Sequence, residues 1–269
     1  MEIGVGLPTV LPGASADLLL RWAREADAGH FTTLGVHDRL AWDGFECLGV
    51  LNAAAAVTER IQLASLVLIA PLRPAELIAR QAAAIQDLSG GRLTLGVGIG
   101  PRRDDYQAAG ADFGKRGRRL EDQLHELRAH WDAGLARPLL LVGGGGDFAL
   151  DRMARHADGY VHGGGPPRAF KGAADRALAA WYNAGRPGRP RLVGTGYFAL
   201  GGRAEEGRQF LRHYYRFVGP FAERIADGLL QSRAEIDELA AGYAEAGCDE
   251  LVLFPTVATI EQLHLLAQT

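Results

Sequence analysis

Three adjacent residues, His37, Asp38 and Arg39, close an apolar run and carry groups able to do chemistry. An imidazole with an ordinary pKa of about 6.5 takes up or releases a proton near neutrality, so His37 is the acid-base candidate. Arg39 stays protonated at any useful pH and cannot be a general base. It can hold an anionic group or stabilise a developing negative charge. Strand alternation through these residues puts His37 and Arg39 on one side and turns Asp38 toward a neighbour. A second reading stays open, in which His37 only packs and Arg39 pairs with Asp43 or Glu46.

A second constellation is a run of four glycines, Gly143, Gly144, Gly145 and Gly146, between an apolar run and a helical pattern. Free backbone N–H groups at a helix start suit an anion, and glycine lets a phosphate approach the backbone. His162, Gly163, Gly164 and Gly165 repeat the arrangement after the next apolar run and can add donors. Both runs also suit plain flexible turns. Asp147 would repel a phosphate, and its side chain instead fits a helix cap.

The stretch LTLGVGIG, residues 93–100, looks like a dinucleotide fingerprint but lacks the G-x-G-x-x-G spacing at a strand-to-helix turn. Its glycines alternate with Leu93, Leu95, Val97 and Ile99, the period of a strand with one bare face. Interior glycine in a strand marks close approach of another backbone or a ligand. Tight packing against bulky neighbours accounts for it equally.

The elements that must position these groups follow from length and pattern. With 269 residues, a net charge of −3 and acids and bases mixed throughout, the chain shows no signature of a nucleic-acid or membrane partner and points to a small-molecule ligand. The two cysteines, Cys47 and Cys248, have neither CxxC nor zinc spacing and read as buried hydrophobes in a reducing compartment, with no metal implied. The N-terminus MEIGVGLP lacks a basic region and a long apolar run, so a cytoplasmic protein is expected.

Short apolar runs at 2–8, 32–38, 61–68, 92–98, 138–143, 159–163, 191–200 and 250–255 read as strands. Helical patterns come after them at 15–28, 46–58, 74–88, 116–133, 147–156, 167–184, 203–246 with a break, and 259–268. Eight strand–helix units of about 34 residues in one domain, 1–269, predict a (β/α)8 TIM barrel, with an open doubly wound sheet as the competitor. In a barrel Gly96, Gly98 and Gly100 face inward, as do Gly4 and Gly6. A barrel interior is normally filled by branched side chains, so these bare faces imply a flat ligand or unusual packing.

These segments carry a resemblance. The run 58–100, with LSGGRL and GVG, together with 23–40, 104–131, 139–161 and 243–255, resembles the luciferase-like monooxygenase family across essentially the whole chain. The resemblance implies a reduced flavin or deazaflavin at the carboxyl end of the barrel, beside a non-proline cis peptide in the third strand. The matching positions are Ala64, Ser65 and Leu66, with Ser65–Leu66 chosen and Ala64–Ser65 as the alternative. Ser65, Leu66 and Gly98 are thus cofactor candidates. Among Arg116, Arg118 and Arg119, Arg118 best matches a phosphate-contacting arginine, although three arginines on one helix also make a solvated face. Asp38 matches the family aspartate, while Arg39 replaces the histidine of many deazaflavin-dependent relatives. Trp42 and Tyr106 stand where the family places pocket aromatics.

The aromatic segment 213–225 suits a lid, a subunit contact or plain core, and the short connection 132–137 implies an open mouth. The function expected from the resemblance is that of a two-component monooxygenase using reduced FMN and O2 on a small organic substrate. The alternatives are a coenzyme F-420-dependent hydride-transfer oxidoreductase and a non-catalytic flavin-binding barrel. No nicotinamide-binding unit is visible, so a separate flavin reductase, or a deazaflavin-reducing dehydrogenase, is expected to supply the reduced cofactor. The resemblance also implies a homodimer.

Overall fold

The computed structural model describes residues 1–268. Eight parallel strands close into one barrel in sequence order: β1 (Glu2–Gly6), β2 (Thr33–Val36), β3 (Gln62–Ile69), β4 (Leu93–Gly98), β5 (Leu139–Gly143), β6 (Gly159–His162), β7 (Arg191–Phe198) and β8 (Glu250–Pro255). Pairing of Ile3 with Leu251 and Val5 with Leu253 closes the cylinder. Between and after the strands run α1 (Ala16–Ala28), α2 (Cys47–Val57), α3 (Ala75–Leu88), α4 (Arg103–Ala108), α5 (Arg116–Asp132), α6 (Asp147–His156), α7 (Pro167–Asn183), α8 (Ala204–Tyr214), α9 (Phe221–Asp227), α10 (Arg233–Glu245) and α11 (Ile260–Ala267). Ser15 starts α1 by accepting from the Leu18 N–H, and Ser232 does the same for α10 from Glu235. Among the described residues no helix is long and apolar enough to cross a membrane.

The two-residue period of the strands sorts their side chains into two layers. Leu93, Leu95 and Val97 of β4 join Trp22, Leu48, Ile78 and Leu124 in the core between barrel and helices. Inside the barrel a smaller plug holds Ala64, Leu66, Leu141, Val161, Val193, Val252 and Phe254, with Val67 packed against it. The glycines at 96 and 98 therefore face inward, and the bare inner face is largely filled by protein. A Cβ added at Gly98 would lie 2.8 Å from Val67 Cγ2, and one at Gly143 would lie 3.1 Å from Val67 Cγ1. Phe254 fills the corresponding space over Gly6. Gly100, at φ 63°, borders the opening above.

Val67 reaches this place through a register slip. Ser65 pairs with Leu95 and Leu68 with Val97, so β3 spends one more residue than β4 over the same rise. Leu66 and Val67 consequently both reach the interior. The non-proline cis peptide lies here, at Leu66–Val67, one bond beyond the Ser65–Leu66 position expected. Ser65 is fully buried and donates its hydroxyl to the Gly96 carbonyl at 2.8 Å.

This packing makes a separable prediction. Gly98→Ala should cost about 1–3 kcal/mol by overpacking against Val67. Most of that cost should vanish in a Val67→Ala background. Gly96→Ala presses on the Ser65 backbone carbonyl, so its cost should persist in both backgrounds. Urea midpoints of the double-mutant cycles read the difference, and equal costs for Gly98→Ala in both backgrounds would remove Val67 from the role.

Candidate functional site

The carboxyl ends of the strands surround a cavity of about 590 Å³. No aspartate or glutamate lines it among the described residues; its polar lining consists of glycine backbone, His37, His162, Arg116, Thr195 and tyrosine hydroxyls. A second hollow of about 260 Å³ lies between α1 and α2 and is lined almost wholly by apolar groups, so of these two cavities the barrel mouth is the one with converging polar groups.

At one end of this cavity β5 finishes on Gly143, and Gly144 takes φ 144° before α6 begins. The Tyr160 hydroxyl holds this turn by donating to the Gly144 carbonyl at 2.8 Å. Added Cβ atoms at Gly145 and Gly163 would meet nothing within 4 Å, so both present open backbone; Gly143, Gly144, Gly145 and Gly163 all line the cavity. Gly146 is the helix N-cap and lies outside the lining. Asp147 does not cap the helix. It is exposed and pairs with Arg176 at 3.1 Å, which draws its charge away from the glycines.

Arg118 does not reach this end: its side chain is 87% exposed and its nearest acid, Asp122, is 4.0 Å away. Arg116 does. Its Nη1 donates to the Phe113 carbonyl at 2.6 Å, its guanidinium lies 3.7 Å from the Phe113 ring centre, and its buried Nε has no partner among the described residues. His162 Nδ1 is likewise buried and unpartnered, and burial pushes its pKa down. Donors without acceptors, open glycine backbone and no competing carboxylate fit a phosphate-bearing cofactor.

The opposite end is built around the residues after β2, which stops at Val36. His37 lies in the cavity wall, stacked on Phe254 at 3.7 Å. Burial, reinforced by the positive field of Arg102, lowers its pKa to about 3, far from the ordinary value expected from sequence. It is a neutral imidazole throughout the neutral range. Asp38 turns away and receives both Arg73 Nη atoms at 2.7 and 2.8 Å and the Ile69 N–H at 2.8 Å.

Arg39 does not enter the cavity. The strand alternation invoked for it ends at Val36, and the side chain is captured by α4, whose carboxylates the sequence pattern did not place. Its Nε donates to Asp105 at 2.8 Å and its Nη2 to Asp104 at 3.1 Å, and its side chain is only 3% exposed. Glu46, an expected partner, binds Arg73 instead. Trp42 stands behind the wall, donating to the Val10 carbonyl and meeting Tyr214 edge-on at 5.0 Å. Tyr106 is buried, with its hydroxyl on the Ile99 carbonyl.

Tyr214 and Tyr215, from the aromatic segment, do line the cavity and roof it. The Tyr215 hydroxyl meets that of Tyr197 at 2.6 Å. Sequence reading missed Thr195 and Tyr197, although their spacing in β7 puts them on one face and marks them as inward.

A model of the luciferase-like monooxygenase family matches residues 1–253 of this chain. An uncharacterised protein of Mycobacterium tuberculosis is 39% identical over 139 residues, covering 44% of this chain and 48% of its own. Pyrimidine monooxygenase RutA of Cronobacter sakazakii is 30% identical over 174 residues, 54% of this chain and 51% of its own. The chain thus spans about half the length of the curated relatives it matches. Among solved structures, an F420-dependent secondary alcohol dehydrogenase in complex with an F420-acetone adduct superposes with a TM-score of 0.83 at 13% identity, over 99% of this chain and 97% of its own. The oxygenating constituent of 3,6-diketocamphane monooxygenase from Pseudomonas putida, in complex with FMN, gives 0.76 at 15%, over 100% and 95%. At these identities the two structures show a shared fold.

Two measurements check the site. Arg39→Ala leaves Asp105 buried without its cation and should cost about 3–5 kcal/mol in folding stability; an unchanged urea midpoint would return Arg39 to the surface. His37 has a folded pKa of about 3 against about 6.5 in the unfolded chain. Between those values the unfolded chain binds the additional proton, so stability falls as pH drops through that window, by up to about 1.4 kcal/mol per unit. His37→Gln should flatten this slope, leaving the part due to His156 and His162, which burial also lowers. A parental slope in the variant would show that His37 is not held neutral.

Proposed function

The chain belongs to the luciferase-like monooxygenase family, and from that premise we propose that it is an oxidoreductase working with reduced FMN and dioxygen, the oxygenating component of a two-component monooxygenase that acts on a small organic substrate. The observation that carries the reading is the cavity at the barrel mouth, whose lining holds no carboxylate and whose two ends differ in chemistry.

Gly144, Gly145 and Gly163 would hold the cofactor phosphate through backbone N–H groups, with Arg116 Nε as an unpartnered donor and His162 Nδ1 as an unpartnered ring nitrogen beside them. When bound, reduced FMN supplies the electrons that activate dioxygen. The protein's part is to bind, orient and exclude water. Leu66 and Val67 form the apolar floor, and Tyr214 and Tyr215 close the roof. Neutral His37, fixed by its stack on Phe254, offers ring nitrogens as a donor and an acceptor without adding charge. Its low pKa supports the oxygenase over hydride transfer to a carbonyl, because that reaction calls for a proton carrier poised nearer neutrality. A separate flavin reductase is proposed as the source of reduced FMN.

Gly145→Leu adds side chain where the backbone is open and demands no left-handed conformation. It should weaken FMN binding at least tenfold, measured by flavin fluorescence, with an unchanged Tm; undiminished affinity would return the glycines to being turns. Assay of the purified protein with a separate reductase, and anaerobically with reduced coenzyme F-420, separates the chemistries. Oxygen-dependent product supports the proposal. Turnover of a carbonyl substrate with reduced F-420 and no oxygen overturns it, and so does flavin binding without turnover across oxidisable substrates.

A further inference from the structure

Arg102 comes after Gly100 and Pro101, both of which line the cavity, and is only 7% exposed. Its guanidinium packs against two aromatic rings, 4.3 Å from the centre of Tyr214 and 4.1 Å from that of Phe217, with Tyr215 at 5.7 Å. Among the described residues no carboxylate or carbonyl accepts a hydrogen bond from it. The other buried arginines are held differently. Arg39 has Asp105 and Asp104, and Arg92 has the Thr58 and Ile61 carbonyls. The nearest acid in sequence, Asp104, is committed to Arg39 and half exposed.

A guanidinium is a flat fork of five donors, and contact with aromatic rings gives none of them an oxygen acceptor. A fork left without acceptors suits a bidentate carboxylate. The field of Arg102 is felt at His37 in the cavity wall, and the two tyrosine rings it touches form the cavity roof. Beside it, Arg39 Nη1 is buried without a partner and its guanidinium lies 5.5 Å from the same Tyr214 ring. Neither arginine is part of the open lining, and the region just behind the Tyr214 and Tyr215 rings, at the end away from the glycines, is thus short of one anion.

We propose that this end binds a substrate carboxylate on Arg102, which makes the substrate a small organic acid; the proposal rests on the reading of this cavity as the catalytic pocket. The glycine end takes the cofactor phosphate and the arginine end selects the substrate, with neutral His37 beside it. Arg102 is then a specificity residue for substrate and contributes nothing to holding the cofactor.

The test uses the full chain without added cofactor, titrated calorimetrically at low salt with benzoate and with its neutral analogue benzamide. Benzoate should bind one per chain at least tenfold more tightly than benzamide. Arg102→Met, which keeps the apolar stem, should abolish the preference, and Arg102→Lys should restore part of it. Arg116→Met should weaken FMN binding and leave the benzoate preference intact. Should the Arg102 variants fail to fold, phenylglyoxal labelling of the wild type gives the same answer: benzoate should slow modification of Arg102, located by peptide mass spectrometry, and benzamide should not. Equal affinity for the two probes, no saturable benzoate binding up to about 10 mM, or labelling of Arg102 indifferent to benzoate overturns the proposal. Loss of the FMN reading would appear as absent flavin binding with these arms unchanged, so the two failures are told apart.

Discussion

The mouth of the barrel depends on a buried ion pair. Asp105 is fully buried, and besides Arg39 Nε it receives the Leu40 and Ala41 N–H groups at 2.9 and 2.8 Å. One carboxylate on α4 thereby holds residues 39–41 of the exit from β2, a segment with no secondary structure of its own, beside the anchors of Asp38 on Arg73 and of Trp42 on Val10. The desolvation of two charges is repaid only when geometry is good and the remaining donors and acceptors are filled, a condition met on the Asp105 side and left open at Arg39 Nη1. His37 lies two residues before the anchored arginine, and the Arg39 guanidinium abuts Trp42 and Tyr214 on its other side. Wall and roof of the cavity are therefore referenced to the same pair. Loosening it would move His37 and Tyr214 together, even though Arg39 touches no ligand.

Excluding acids from the cavity has electrostatic consequences that run through the site. With no carboxylate in the lining, burial is not offset at the histidines, and both His37 and His162 are pushed toward the neutral form. The Tyr197 and Tyr215 hydroxyls, sharing one hydrogen bond, are pushed up by burial and remain protonated. Every side-chain group that faces the cavity is thus neutral or cationic near neutrality. A pocket of this kind favours an anionic ligand because no carboxylate in its lining opposes one. Charge is confined to the two ends, with Arg116 at one and Arg102 behind the roof at the other, while apolar and aromatic groups fill the space between.

Much of the fold was legible because its signals are periodic. All eight strands fall within or close to the runs expected from alternation, and the main helices match to within a residue or two, their ends set by local caps such as Ser15 and Ser232. The site was legible where chemistry is local: Gly143, Gly144 and Gly145 at the end of β5 and His162 at the end of β6 line the cavity, while Gly146 of the same run lies outside it. It failed where position depends on tertiary contacts. Helix α4 has six residues, too few to show a helical period, so the acids that capture Arg39 could not be placed. The choice of Arg118 over Arg116 is a question of helix phase. At about 100° per residue the two point to nearly opposite sides, and only packing of α5 against the barrel decides which side faces inward. The slip in β3 is invisible for the same reason, since it is a mismatch between two strands and neither sequence carries it alone.

The glycines of LTLGVGIG serve that slip. A barrel interior is ordinarily built from layers of branched side chains contributed by alternate strands. Here β3 sends two consecutive residues inward, and Val67 needs space that neighbouring strands would normally occupy. Gly98 on β4 and Gly143 on β5 give up their side chains around it, as the Cβ distances to Val67 show, while Gly96 yields first to the Ser65 carbonyl of the same slipped strand. The same exchange occurs opposite, where Gly6 and Gly35 yield to Phe254 and Phe254 in turn carries the His37 ring. Bare strands and bulky plugs are therefore one device. By filling the barrel from Val67 and Phe254 rather than from every strand, the fold raises an apolar floor and leaves the open volume above it, where the glycine backbone, Arg116 and the tyrosine hydroxyls converge.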